Sequence, residues 1–436
     1  MVTAVDKTKA EKLAEKNGIS FYRIASDKFK TTRVDLFFID KLQEARASGN
    51  ALLPSLMKKG WKDFPTVKEL ERKLESLYGA DVDAGVNKKG EMQILSFHMS
   101  HIADKYTLGG EKLFEACSDL FMGMLTRPLI ENGGFKKDLF SKERDNQINY
   151  IRSRVNDKMR FSLDRCMEEM CQGEPFEVSD DGSEEGILLL TPENTYGFYK
   201  EMLSTYPAYA YISGNVDDAS VQRFIDGFSV LDRKTINPLY IPSVKKNVSG
   251  IRRVDEPMDV NQGKLCLGFR TGVEPSSPDY FPLVVYNGIL GGDLNSKLFQ
   301  NVREKESLAY YAQSMLERYK GLMIIMSGIE AENLEKAEAI ILKQVEAMRT
   351  GNIEERELKA SLNALETGIK AMQDSQGAIV DFFLSQHISK SGDDFESTHE
   401  KFQKVSVADV VRAGQNVTLD TVYFLHPDGT QGGEEA

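Results

Sequence analysis

Short runs of β-branched and aromatic residues alternate with blocks of helical periodicity along this chain, and the same order of elements occurs twice. Residues 34–38 and 265–269 read as strands, each leading through a connection into a helical stretch that stops near Gly60 or Gly291. Glycine suits a helix C-terminus. An apolar stripe at helical spacing follows, Val67, Leu70, Leu74 and Leu77 in one half, Leu298 and Val302 in the other. Two strands come next in each, joined near residues 87–90 and 318–321, with 92–97 and 322–326 as the return strands. Long helical patterns cover 113–125 and 138–154 in the first half, and 335–348 and 355–372 in the second. Thr191-Pro192-Glu193-Asn194 and Ser406-Val407-Ala408-Asp409 carry helix-start signals. Strands at 208–213 and 422–425 close the two halves.

A constant offset of 231 aligns these patterns residue by residue. Phe38 meets Phe269, Gly60 meets Gly291, Arg72 meets Arg303, and Glu75-Ser76-Leu77 meets Glu306-Ser307-Leu308. Lys89-Gly90 meets Lys320-Gly321, while Met92, Ile94 and Ser96 meet Met323, Ile325 and Ser327, with no gap between 34 and 97. The chain reads as a tandem duplication. Its fold class is α+β: two homologous domains, each an antiparallel-rich sheet with helices mainly on one face. Residues 1–231 and 251–436 form the domains, 232–250 a linker, and 428–436 a frayed tail.

Composition narrows the partners. The 436 residues carry a net charge of −12, which argues against a nucleic-acid partner because phosphate binding requires a basic surface. No run of 18 apolar residues occurs, and residues 1–18 have neither a signal peptide's apolar core nor a membrane span. Four cysteines without Cys-x-x-Cys spacing fit a reducing compartment, so the expected location is cytoplasmic. His98 and His101 lie three apart at a strand end, facing opposite ways, and make no ligand pair. Arg303 and Tyr310 stand seven apart, on one side of a helix if that helix continues past Lys305. As a packing pattern alone, the same stretch puts Tyr310 in the core and Arg303 in solvent. Asn295 and Ser296 can cap its start.

The segment Leu298-Phe299-Gln300-Asn301-Val302-Arg303-Glu304-Lys305-Glu306-Ser307-Leu308-Ala309-Tyr310 resembles the pitrilysin/insulinase family of zinc peptidases, in its two-domain processing-peptidase type. The preceding Gly-Gly, Gly173-Glu174-Pro175-Phe176 and Ile212-Ser213-Gly214-Asn215-Val216-Asp217 share in that resemblance. Active members carry His-x-x-Glu-His on the first helix, with two zinc-binding histidines and a glutamate that polarises water. Those positions fall here on Ala51, Pro54 and Ser55, and the later carboxylate ligand falls on Tyr150. Glu143-Arg144 keeps the start of that second motif, with Glu143 expected as an exposed helix residue. The resemblance therefore implies a degenerate member with no catalytic residue, metal or cofactor of its own.

It implies more for the second half, where Arg303 and Tyr310 keep the family's substrate-binding positions. A guanidinium and a phenol can hold a peptide carbonyl and its developing oxyanion. The expected partner is a zinc-bearing homologous subunit, the expected substrate a peptide or protein. Strands near 33–39 and 264–270 are the expected sheet edges for its capture. The alternative is a non-proteolytic scaffold or peptide-binding protein. Degenerate relatives in Gram-positive bacteria are also linked to modification of elongation factor P.

Overall fold

The computed structural model describes residues 8–233, 235–244 and 247–428. The first half opens with β1 (Glu11–Lys16), β2 (Ile19–Ile24) and β3 (Thr31–Lys41), then helices α1 (Glu44–Lys58) and α2 (Val67–Ser76). The hairpin β4 (Asp81–Lys89) and β5 (Met92–Ile102) follows, then α3 (Leu113–Thr126) and the small hairpin β6 (Ile130–Glu131) and β7 (Gly134–Phe135). Helices α4 (Lys137–Ser153), α5 (Lys158–Met170), α6 (Glu184–Leu188) and α7 (Pro192–Thr205) lead to β8 (Ala208–Ser213) and α8 (Asp218–Gly227).

The second half repeats the order with β9 (Arg252–Met258), β10 (Gly263–Arg270) and α9 (Tyr280–Asn287). The hairpin β11 (Ala309–Glu317) and β12 (Leu322–Ile329) comes next. Helices α10 (Leu334–Arg349), α11 (Glu355–Met372), α12 (Gln376–Ser389), α13 (Phe395–Gln403) and α14 (Val407–Gly414) precede β13 (Thr418–Pro427). The Thr191–Asn194 and Ser406–Asp409 starts are both capping boxes. Gly429–Ala436, most of the expected frayed tail, lies outside the described residues.

The sheets run β1-β2-β8-β3-β5-β4 and β11-β12-β10-β13-β9. All pairings are antiparallel except β2–β8 and β9–β13. Strands β1, β2 and β9 escape the pattern reading. The residues of β1, Glu-Lys-Leu-Ala-Glu-Lys, have the charged character of a protected sheet edge. No helix among the described residues is long and apolar enough to cross a membrane.

The alternation along β3 explains how the halves join. Val34, Leu36 and Phe38 pack under the half's own helices, while Phe37 and Ile39 are buried on the opposite face. A sheet buried on both faces needs a second cover. That cover is α12, taken from the other half and packed on β8. His387 of α12 stacks on Tyr22 at 4.1 Å and bonds Tyr211 Oη at 2.6 Å. Reciprocally, α5 of the first half lies on β10 and β13, setting Leu163, Cys166 and Met170 against Cys266, Ile324 and Tyr423.

Buried ion pairs fasten this exchange. Lys320 Nζ sits 2.5 Å from Glu91 and 2.6 Å from Glu174, with each of the two partners Lys320 and Glu91 only 1% exposed. Fully buried Arg270 reaches Glu174 at 2.7 Å, Asp420 at 3.0 Å and the Met170 carbonyl at 2.6 Å. Burial raises the Glu174 carboxyl, but hydrogen bonds from Arg270 and Lys320 outweigh it and hold the group below its ordinary range. Tyr240 and the Ser243 amide also donate to Glu91, so the 232–250 connection is tied into the same cluster.

The constant offset holds for β3 and β10 and fails beyond the hairpin. Phe38 pairs with Leu95, but Phe269 pairs with Met323 and not with Met326. A slip of three reverses the alternation of the return strand. Met92 and Ile94 consequently face the other half, whereas Met323 and Ile325 face their own helices. Their sequence match is not a structural one.

Candidate functional site

Helix α1 places the zinc-motif positions where no metal chemistry is available to them. Ala51 and Pro54 are buried, with Pro54 inside the helix, and Ser55 is half-buried. The helix packs on α4, α6 and α7. Gly182 and Gly186 press so closely on Ser48 that an added Cβ would fall 2.5 and 2.2 Å from its Oγ. Tyr150 on α4 is 52% exposed. Alanine and proline side chains have no donor, and a hydroxyl pair is a poor zinc set. Among the described residues, no three His, Cys, Asp or Glu side chains come together as a metal group. The residues present do not fit a zinc ion.

Two neighbouring expectations change. Glu143 is buried at 4% exposure, bonded to Asn146 at 3.3 Å, and is not the exposed helix residue its sequence suggests. His98 and His101 lie within β5, which continues past Phe97; His98 pairs with Asp81 at 3.2 Å and His101 is buried.

Tyr150 borders a polar cavity of about 610 Å³ between the halves, reached by Lys88 of β4, Arg154 and Asp181, and by Met315 and Glu317 of β11. Burial, with Asp180 adding repulsion, pushes the Asp181 carboxyl up to about 6. Asp181 in turn raises the Tyr150 phenol. Burial lowers Lys88 and raises Glu317.

The second-half segment differs in winding. Residues Phe299–Lys305 form a π-helix, a form often found at functional positions. Ser296 accepts the Phe299 amide at 3.4 Å and caps it. The helix stops before Tyr310. Ser307 takes a left-handed φ of 51°, and the amides of Ser307 and Leu308 close back on Arg303 and Val302. The Ser307 bond to Arg303 is that of an αL helix end, and Leu308 and Val302 are both buried beside it.

Arg303 and Tyr310 are therefore not aligned by one helix. Arg303 stacks over Phe299 at 4.7 Å, with Glu304 3.8 Å away. Tyr310 is the extra residue of a bulge in β11 between Ala309 and Tyr311. A bulge re-aims its side chain, and Tyr310 is 66% exposed, not in the core, with a 3.3 Å bond to Glu330. The offset of 231 puts Gly79 opposite Tyr310, but strand β4 pairs without any shift, so the bulged Tyr310 has no counterpart there.

The capture edges also move. β3 lies between β8 and β5, and β10 between β12 and β13, so residues 33–39 and 264–270 are interior strands. The outer strands of the two sheets are β4 and β11, with β1 and β9 at the far sides. Sequence reading missed Glu91, Lys320, Arg270 and Glu174 as a group. The available signals were the repeated Lys89-Gly90 and Lys320-Gly321 turns and the Gly173–Phe176 motif.

Comparison with known proteins follows the same lines. Residues 190–365 match the family model described as Peptidase M16 inactive domain. The chain is 32% identical over 415 residues to the "Probable inactive metalloprotease YmfF" of Bacillus subtilis, covering 95% of this chain and 97% of that protein. A conserved protein of Enterococcus faecalis superposes with a TM-score of 0.88 at 26% identity, covering 96% of this chain and 99% of the other. A Pseudomonas fluorescens structure described as a peptidase M16 inactive domain gives 0.79 at 17% identity, with 96% and 98% covered, and shares the fold.

Proposed function

The chain belongs to the M16 peptidase family as one of its inactive members, and from that premise we propose that it is the zinc-less subunit of a heteromeric peptidase. A zinc-bearing homologue supplies the metal and the general base. This chain supplies Arg303 and Tyr310, which donate to the carbonyl of a peptide lying along β11. The observation that carries the reading is an asymmetry. Ala51, Pro54, Ser55 and Tyr150 offer no zinc site, yet Arg303 and Tyr310 remain solvent-facing beside an outer strand.

The chemistry of the pair supports this. A guanidinium presents five donors and a phenol one, all suited to a carbonyl oxygen that gains charge as water attacks. An outer strand offers unpaired backbone groups to an extended peptide. The partner contacts of the pair, a cation–π stack and one long hydrogen bond, are weak enough to exchange for substrate. We place the complex in the cytoplasm, in keeping with four free, buried cysteines.

The test combines the purified chain with a zinc-bearing homologue from the same genome and follows peptide cleavage. Arg303→Ala is expected to lower kcat about 10²-fold, the scale of losing one oxyanion donor. An unchanged rate overturns the division of labour and leaves peptide binding without cleavage as the role of β11.

A further inference from the structure

We propose that the cavity enclosed by α9, α11, α12 and α13 binds a small carboxylate carried on an apolar chain or ring, with Arg318 holding the carboxylate. The site lies at the opposite end of β11 from Tyr310 and is independent of the peptidase reading. Its volume of about 430 Å³ falls in the range of small-molecule pockets. Phe281, Val284, Leu365, Ile369, Met372 and Phe382 supply apolar walls.

Both carboxylates on the walls have lysine partners, and Asp381 acts on Arg318 only beyond ion-pair distance. Asp381 is held by Lys89 at 2.6 Å, and Asp393 by Lys401 at 2.5 Å. Arg318 also lines the cavity, and among the described residues no carboxylate stands within ion-pair distance of it. Its guanidinium reaches only hydroxyls, Ser385 Oγ at 3.0 Å and Tyr280 Oη at 3.5 Å, and stacks on the Tyr319 ring at 5.0 Å. A planar fork with spare donors, held against an aromatic ring in an apolar enclosure, suits a bidentate carboxylate.

Two buried hydroxyls point the same way. Thr398 is 8% exposed, and its Oγ1, on the cavity wall, has no hydrogen-bond partner. Tyr319 is buried as well; its Oη lies near Ser385 without a well-formed hydrogen bond. Buried polar groups are rarely left unpaired, so the Thr398 hydroxyl calls for a partner that the protein does not provide.

Gly368 leaves room at the mouth of the cavity. It is an exposed position inside the 18-residue helix α11, at the cavity's edge, and an added Cβ there would meet nothing within 4 Å. Its backbone does not take the left-handed conformation that would require glycine. Glycine inside a helix weakens it relative to alanine.

The experiment is calorimetric titration of the full chain with decanoate and 2-naphthoate, with decanol as the uncharged control. At least one carboxylate is expected to bind at least tenfold more tightly than decanol, and Arg318→Met to remove at least tenfold of that affinity. Gly368→Leu places a large side chain at the cavity mouth from an exposed position that has room for it. It is expected to abolish binding while the melting temperature stays level or rises, which separates blockage from misfolding. The proposal is overturned if neither carboxylate binds at millimolar concentration, if decanol binds as well as the acids, or if either variant binds like the parent chain.

Discussion

The two halves follow one plan, yet each departs from it at a different point, and the contrast shows where chemistry can persist. In the first copy, helix α2 is a regular α-helix with a Thr66–Glu69 capping box, and β4 pairs without interruption. In the second, the equivalent helix is π-wound with a single Ser296 bond, and β11 bulges at Tyr310. The regular copy keeps no side chain of the zinc motif. The irregular copy projects Arg303 and Tyr310 into solvent. Irregular backbone re-aims side chains at a cost in local stability, and is found at sheet edges and at functional positions.

The copies differ again at one strand position. Arg270 in β10 stands where β3 has Ile39; both are buried on the face covered by the other half's helix. Arg270→Met should cost about 3–5 kcal/mol, because Glu174 and Asp420 stay buried without their guanidinium. Ile39→Val should cost only about 1 kcal/mol. Urea midpoints of the two variants test this, and equal losses would show the ion cluster to be dispensable.

The proposed division of labour has a matched pair of its own. In a reconstituted peptidase, Arg303→Ala should lower kcat about 10²-fold, near 3 kcal/mol, while Arg72→Ala, its sequence counterpart, leaves the rate within twofold. Equal effects would mean that the second copy has no special role.

Two acids of the first half that lie at the seam titrate in opposite senses. Asp181 is raised to about 6 by burial, so its favourable contribution is complete below about pH 4 and is lost as pH rises through 6. Asp181→Asn should therefore gain up to about 2 kcal/mol over the parent chain between pH 4 and 7. Glu174 is lowered, so what it contributes is present above its unfolded pKa and lost as pH falls through the folded one. For Glu174→Gln the deficit should shrink on acidification. Unfolding curves at both pH values give the two signs.

The smallest effect concerns the caps. Thr66→Ala removes the hydroxyl's bonds with the Glu69 amide and carboxylate, leaves the backbone amide's bond to Glu69, and should cost about 1 kcal/mol. Ser296→Ala removes one long bond and should cost about 0.5 kcal/mol. Thermal melts rank the two.

Much of this was written in local sequence. The strand at Ala208–Ser213, helix α11 from Glu355 to Met372, and the caps at Thr191 and Ser406 follow from periodicity and side-chain hydrogen bonding, which act over a few residues. The loss of the zinc motif was likewise legible, since alanine and proline lack donors in any fold. Other features depended on contacts between distant residues. Charged β1 gave no strand signal, and Glu143 became buried through packing that its neighbours do not encode. The outer position of β11, not β10, is a matter of strand order. A match by identity put Met92 with Met323, although strand register turns them to opposite faces. The exchange of α5 and α12, the Lys320–Glu174–Arg270 cluster and the cavity around Arg318 also came only from the tertiary structure. Each joins residues far apart in sequence, and periodicity tells which residues of an element are buried without telling which element will cover them.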